Sequence, residues 1–181
     1  ARTSDDTALL FVSCATNPAV LAERLLASPC LQRGGHRLLV MFNARSAAEA
    51  MNAALAQASA GTWVVWVHQD VHLPAGWDGR FRAGLAQARR LDPTLAVAGV
   101  YGIAGSGQDV RRAGRVLDRG QPLEEPAPLP CRVDSLDELL VAVRAGSGLG
   151  FDPALRFDFY GTDIVLQAQA RGLGAAVVDA W

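Results

Sequence analysis

The sequence contains no lysine: all 17 of its basic residues are arginine. That absence excludes Schiff-base chemistry, a lysine general base and a phosphate loop of the Walker type, whose lysine has no counterpart here. Arginine, which does not titrate in the working range, is left as the strong phosphate partner. Charge is scarce as well, at 19% of residues with a formal net charge of −1. That is too little uncompensated cation for a nucleic-acid binder held by a broad basic field. The three cysteines, Cys14, Cys30 and Cys131, are widely spaced. They form no Cys-x-x-Cys pair and have no nearby histidine to complete a zinc site, so they read as small buried hydrophobes. No apolar run reaches the ~18 residues of a membrane span, and Ala1 to Asp6 does not resemble a signal peptide. The expectation is a cytoplasmic protein without a membrane span, its missing initiator methionine pointing to processing or trimming.

What is present is a globular composition. Half of the 181 residues are hydrophobic, and the length suits one domain with a sizeable core. Short apolar runs alternate with helical patterns, the mark of an α/β fold. Strands are expected over 8–13, 37–42, 62–67, 95–100 and 175–178. The run at 62–67 is too continuous for a half-exposed strand and should be central, covered on both faces. Asn17 and Pro18 start a helix to about Ser28, and Ser46 with Glu49 forms a capping box for one to about Ala58. Further helices are expected over 77–91 and 162–170. Residues 102–130 show no periodicity and read as an irregular, mobile loop. The segment 133–144 is ambiguous: Ser135 to Glu138 looks like a capping box, while Leu139 to Val143 would serve equally as a strand.

In open α/β sheets ligands bind beyond the carboxyl ends of the strands, and three polar loops leave such ends: Ser13 to Asn17, Asn43 to Ser46 and His68 to His72. Asp70, held by a rigid strand end, is a hard oxygen ligand for Mg²⁺ or Mn²⁺. His68 and His72 flank it, and imidazole favours Mn²⁺; a turn aspartate beside two part-buried histidines is the plainer alternative. The glycines of Gly102 to Gly107 do not match the dinucleotide fingerprint, and Ser106 lacks nucleophile-elbow spacing. Asp163 falls in the first turn of the last helix, where the macrodipole alone would explain a carboxylate; beside a sugar hydroxyl it could instead be a general base.

Taken in order, Phe11-Val12-Ser13-Cys14, Asn43-Ala44-Arg45-Ser46 with Met51-Asn52, Val65-Trp66-Val67-His68-Gln69-Asp70-Val71, and Val133-Asp134 through Phe151-Asp152 to Phe159-Tyr160-Gly161-Thr162-Asp163 resemble the family two glycosyltransferases. These have the GT-A fold, and the likeness is closest to a small bacterial glycosyltransferase-like subgroup related to a streptomycin-biosynthesis protein. The resemblance spans most of the chain. It implies a nucleotide-diphosphate-sugar donor, a divalent metal (Mn²⁺ or Mg²⁺) and a hexosyltransferase-like, inverting transfer to an acceptor hydroxyl on a saccharide or lipid-linked glycan. On it, Ser13, Cys14, Thr16 and Asn17 lie against the nucleotide, Arg45, Ser46 and Asn52 near base and phosphates, and Gln69 in the donor site. Asp70 and His72 take the metal, Asp134, Asp137 and Tyr160 lie on the acceptor side, and Asp163 is the catalytic base. The chain departs from the family at His68, where an acid is usual, and no histidine follows His72 to serve as a downstream ligand.

The expected architecture is therefore a single GT-A-like domain over 1–181 with a mostly parallel central sheet and helices on both faces. Residues 8–101 would form its nucleotide-sugar-binding half and 131–181 its acceptor-side half. The family pattern takes Leu139 to Val143 as a strand over the capping box. A non-catalytic nucleotide-sugar or partner-binding module on the same fold is the alternative. A nucleotidyltransferase ranks below both, because the loop after the first strand is neither glycine-rich nor basic.

Overall fold

The computed structural model describes residues 8–33, 35–105 and 107–181. Ser106 of the glycine-rich segment lies outside them. The first half alternates as the apolar runs require: β1 (Leu9–Ala15), α1 (Pro18–Glu23), α2 (Pro29–Arg33), β2 (Arg37–Phe42), α3 (Ala47–Gln57), β3 (Trp63–Val67), α4 (Trp77–Leu91) and β4 (Leu95–Gly99). The second half holds β5 (Tyr101–Ala104), β6 (Arg111–Asp118), β7 (Gln121–Glu124), β8 (Cys131–Arg132), β9 (Ser135–Leu136), β10 (Leu140–Arg144), α5 (Tyr160–Ala170) and β11 (Gly174–Val177).

The central sheet has seven strands in the order β2-β1-β3-β10-β4-β11-β8. β1 runs parallel to β2 and β3, and β11 parallel to β4, while β10 lies antiparallel between β3 and β4 and β8 antiparallel on β11. The expected parallel character thus holds for the first half, and the sheet as a whole is mixed. All five residues of β3 are buried, as its unbroken apolar run requires of a strand covered on both faces. Alternate side chains divide between two cores. Val64 and Trp66 pack with Met51 and Ala54 of α3 and Ile164 and Val165 of α5. Trp63 and Val65 pack with Leu21 of α1 and Phe81 and Leu85 of α4. The chain therefore leaves β1 toward one face and β2 toward the other, which opens a crevice at their carboxyl ends.

Three expectations need correction. The first helix stops at Glu23 rather than near Ser28, because Pro29 opens a separate helix and buried Ser28 turns inward, its hydroxyl accepting from Leu73 N at 2.9 Å. Residues 102–130 are not an irregular loop: β5, β6 and β7 join β9 in a four-stranded antiparallel sheet ordered β7-β6-β5-β9. Its tightest hairpin pairs Asp118 with Gln121 around Arg119 and Gly120, both at positive φ (48° and 80°). That is the turn whose twist matches paired strands, and glycine enters it freely. Lastly, Ser135 to Glu138 caps no helix of its own. Ser135 and Leu136 form β9, and the strand expected after them is present as β10.

Candidate functional site

The three polar loops meet. Cys14, at the end of β1, directs its thiol to Ser46 O at 3.9 Å, joining the first loop to the second. Gln69 joins the third to the first: its Oε1 accepts from Thr16 N and Asn17 N, both at 3.1 Å, and its Nε2 donates to Thr16 Oγ1 at 3.2 Å. Gln69 thus braces the backbone that its neighbours present to the crevice. Asn17 also caps α1, its Oδ1 accepting from Ala19 N and Val20 N. Ser13 is fully buried with its hydroxyl turned to Cys14 O. Burial, aided by the Glu49 carboxylate, pushes the Cys14 thiol up to about 11, so it is no nucleophile at neutral pH.

On the second loop Ser46 caps α3, accepting from Glu49 N at 3.3 Å. Glu49 does not return the bond to Ser46; it accepts from Arg45 N at 2.9 Å and Arg45 Nε at 2.6 Å. These bonds to Arg45 hold the Glu49 carboxyl below its ordinary value. The Arg45 side chain is otherwise 91% exposed at the rim of the crevice. Asn52 spends both ends of its amide on Phe151, donating to its carbonyl and accepting from its amide, each at 2.9 Å. In this structure it ties α3 to the segment before α5.

Beyond β3 the side chains gather around one phenol. Tyr160, the first residue of α5 and 1% exposed, accepts a hydrogen bond from Trp66 Nε1 at 3.0 Å and donates to Glu138 O at 3.2 Å. Its hydroxyl lies 2.6 Å from His68 Nε2. Burial, reinforced by the Glu138 charge, raises the phenol well above its usual value. Burial also lowers His68, against the opposing pull of Asp70 and Asp137, so the imidazole is neutral at pH 7. Asp70 and His72 are exposed beyond it. Asp137 turns its carboxylate to Leu139 N at 2.9 Å, and Glu138 Oε1 accepts from Gly161 N at 3.2 Å. The acid that reads as half of a capping box therefore caps α5, across 23 residues. A side chain at Gly161 would strike Leu136 O, so only glycine lets the helix approach β9 this closely. Desolvation and the neighbouring Asp158 and Asp137 raise the Glu138 carboxyl.

Asp163 sits one turn into α5, half-buried, with Oδ2 accepting from Gln167 Nε2 at 2.6 Å; Gln167 also donates to Gly150 O. Asp134 is apart from this group. Its two oxygens accept from Gly105 N at 2.8 Å and Gln169 Nε2 at 2.9 Å, which fastens the four-stranded sheet to α5. Sequence reasoning missed Glu138 as the cap of α5 and Gln167 as the brace of Asp163. The second was visible, since a glutamine four residues after an aspartate on a helix faces it.

Asp70 and His72, the residues expected to take a metal, are both exposed beyond the end of β3. Mg²⁺ and Mn²⁺ keep several waters and are held by one or two carboxylates together with substrate phosphates. Among the described residues Asp70 and His72 belong to no group of three potential metal ligands, so an ion there would need substrate phosphates and water for most of its ligands.

No family model matches the chain. A protein of Fuscovulum blasticum described as "ATP synthase subunits region ORF 6" is 30% identical over a match of 129 residues, with 66% of this chain and 49% of that protein covered. The chain thus spans about half the length of that relative, whose description names no activity.

Proposed function

We propose that the protein is a glycosyltransferase of the GT-A type, moving a sugar from a nucleotide diphosphate to an acceptor hydroxyl with inversion. The observation that carries this reading is the junction of α5 with the end of β3. Tyr160, which shares the first turn of α5 with Asp163, bonds His68, two residues before Asp70. Support also comes from the order of the strands, with β10 reversed between two parallel groups, and from the three loops joined at their carboxyl ends.

On this reading the loop from Ser13 to Asn17, braced by Gln69, receives the nucleotide. Arg45 swings from Glu49 to the diphosphate. An ion pair this exposed contributes little to folding, so the exchange is cheap. Asp70 and His72 would hold Mg²⁺ or Mn²⁺, which when bound supplies charge neutralisation to the departing diphosphate. Asp163, its Oδ2 steadied by Gln167, takes the proton of the acceptor hydroxyl as that oxygen attacks the anomeric carbon, opposite the leaving group. Asp137 and Tyr160 then lie on the acceptor side, Tyr160 as a positioning residue whose phenol is already committed.

A second reading, a nucleotide-sugar-binding module without catalysis, is favoured by His68. Where the family usually has a second acid, this chain has a neutral imidazole turned to Tyr160. Thermal shift with UDP-, GDP- and dTDP-sugars, with and without Mn²⁺, followed by a product assay, separates the two. Metal-dependent stabilisation with nucleoside diphosphate release supports the transferase. Binding indifferent to metal and without release supports the module, and no binding of any sugar nucleotide defeats both.

A further inference from the structure

We infer that Cys30, His36 and Asp78 form a zinc-binding site, outside the strand-end crevice and independent of the transferase reading. Cys30 lies in α2, His36 immediately before β2, and Asp78 in the first turn of α4. The fold brings a sulfur, a ring nitrogen and a carboxylate oxygen from these three elements within 4.8 Å of one another. No other group of three or more such ligands occurs among the described residues. Tetrahedral zinc, with bonds of about 2.0 to 2.3 Å, sets its ligand atoms roughly 3.2 to 3.8 Å apart. His36 Nε2 and Asp78 Oδ2 are already 2.9 Å apart.

Burial and surroundings distinguish the cluster from a chance surface grouping. Cys30 is 2% exposed, and the side chains of His36 and Asp78 are 6% and 20% exposed. The ring of Phe11 meets that of His36 edge-on, with centroids 5.2 Å apart, and fixes its plane. Arg82 Nη1 donates to Asp78 Oδ2 at 3.0 Å, as an outer partner does to a ligating carboxylate. Cys30 N donates to Leu73 O, so the backbone on either side of α4's approach is tied in. Thiolate, imidazole and one carboxylate are the donors zinc prefers, whereas Mg²⁺ and Ca²⁺ call for oxygens throughout. Three protein ligands leave a fourth position for water on the Asp78 side, the most open of the three. The ion would bind by displacing the thiol proton to solvent and the Nε2 proton that His36 shares with Asp78 to Nδ1 of the same ring, and would clamp α2, β2 and α4 together on the face opposite α5.

Cobalt(II) titration of the metal-free protein tests this. The expected result is one equivalent bound, with a thiolate-to-cobalt charge-transfer band that zinc abolishes by displacement. The band is lost in Cys30→Ser and kept in Cys14→Ser and Cys131→Ser. Zinc affinity of His36→Ala should fall at least as far as the roughly 10- to 100-fold typical of losing an outer partner. A wild-type protein with no such band, or a band that survives Cys30→Ser, overturns the site. Should Cys30→Ser fail to fold, X-ray absorption of the zinc-loaded wild type decides: one sulfur in the first shell supports the site, and a shell of nitrogen and oxygen alone overturns it. Neither result depends on whether any sugar is transferred.

Discussion

The hydroxyl of Tyr160 and Nε2 of His68 lie 2.6 Å apart, although 92 residues separate them in the chain. The contact joins the first residue of α5 to the first residue beyond β3, and it is made inside the protein. Trp66 Nε1, the next partner of the same phenol, has its own hydrogen bond only because that oxygen is there.

Tyr160→Phe therefore removes more than one bond. It leaves the Trp66 N–H buried without a partner and the Glu138 carbonyl without its donor. An unsatisfied buried group costs about 1–3 kcal/mol, and that range is the expected loss in a urea titration. A loss near zero would mean that water replaces the hydroxyl. If the transferase reading holds, kcat falls while donor affinity stays, because the variant loosens the placement of Asp163 and touches no donor contact.

Two groups at this junction titrate in opposite senses. Glu138 is raised above its usual 4.5, so the native state holds that proton to higher pH than the unfolded chain, and stability falls as pH rises through 4.5 toward the native value. His68 is lowered below 6.5, so the unfolded chain takes up a proton first, and stability is lost as pH falls from above 6.5 toward the native value. Glu138→Gln keeps an amide oxygen for Gly161 N and removes a desolvated charge facing Asp137 and Asp158. The expected outcome is a higher Tm at pH 7 and loss of the decline that begins near 4.5. His68→Gln should flatten only the acid side of the profile below 6.5. Thermal melts from pH 4 to 8 on the two variants check both; a Glu138→Gln curve parallel to wild type would refute the assignment.

Asn52 offers a test of structural against ligand-facing roles. The family resemblance sets it near the base and phosphates, yet both ends of its amide meet the Phe151 backbone. Asn52→Ala is expected to cost about 1–3 kcal/mol by stranding those two backbone groups. Donor affinity, measured at a temperature where the variant remains folded, should change less than about threefold. A large change in affinity with unaltered stability would return Asn52 to the ligand site.

How much of this the sequence disclosed follows from the range of the interactions involved. β3 was legible because an unbroken run from Trp63 to Val67 admits only a doubly covered strand. The caps at Asn17 and Ser46 were legible because a cap and its helix lie within three residues. The four-stranded sheet was not, since Arg119-Gly120 is a weaker turn signal than Asn-Gly, β6 carries three arginines and a glycine, and β7 is four residues with a proline among them. Glu138 misled for a sharper reason. Its spacing from Ser135 is that of a local capping box, and its carboxylate does cap a helix, but one that begins 22 residues later at Tyr160. The grouping of Cys30 with His36 and Asp78 was out of reach for the same cause: the third ligand comes from α4, and no local spacing announces it.

Arg45 and Asp163 should fail in opposite ways, which makes the pair the most discriminating test of the proposed chemistry. Arg45 is an exposed side chain whose partner in the free protein is Glu49, so Arg45→Ala should leave Tm within error. Its contact with the diphosphate would exist in the ground-state complex, and donor Kd should weaken about tenfold or more, as loss of a charge-assisted bond of about 1.5–3 kcal/mol requires. On the proposed reading Asp163 would meet the acceptor, and its proton transfer would matter only as the bond forms. Asp163→Asn keeps an oxygen for Gln167 Nε2 and preserves the shape of the helix turn. Donor Kd should hold within about twofold while turnover falls about 100- to 10,000-fold, the usual contribution of a general base. Isothermal titration with a nucleotide sugar and a coupled assay of nucleoside diphosphate release read the two quantities separately. Equal losses of binding and turnover in Asp163→Asn would assign that carboxylate to the donor, and the base would have to be sought among Asp70, Asp137 and Asp158.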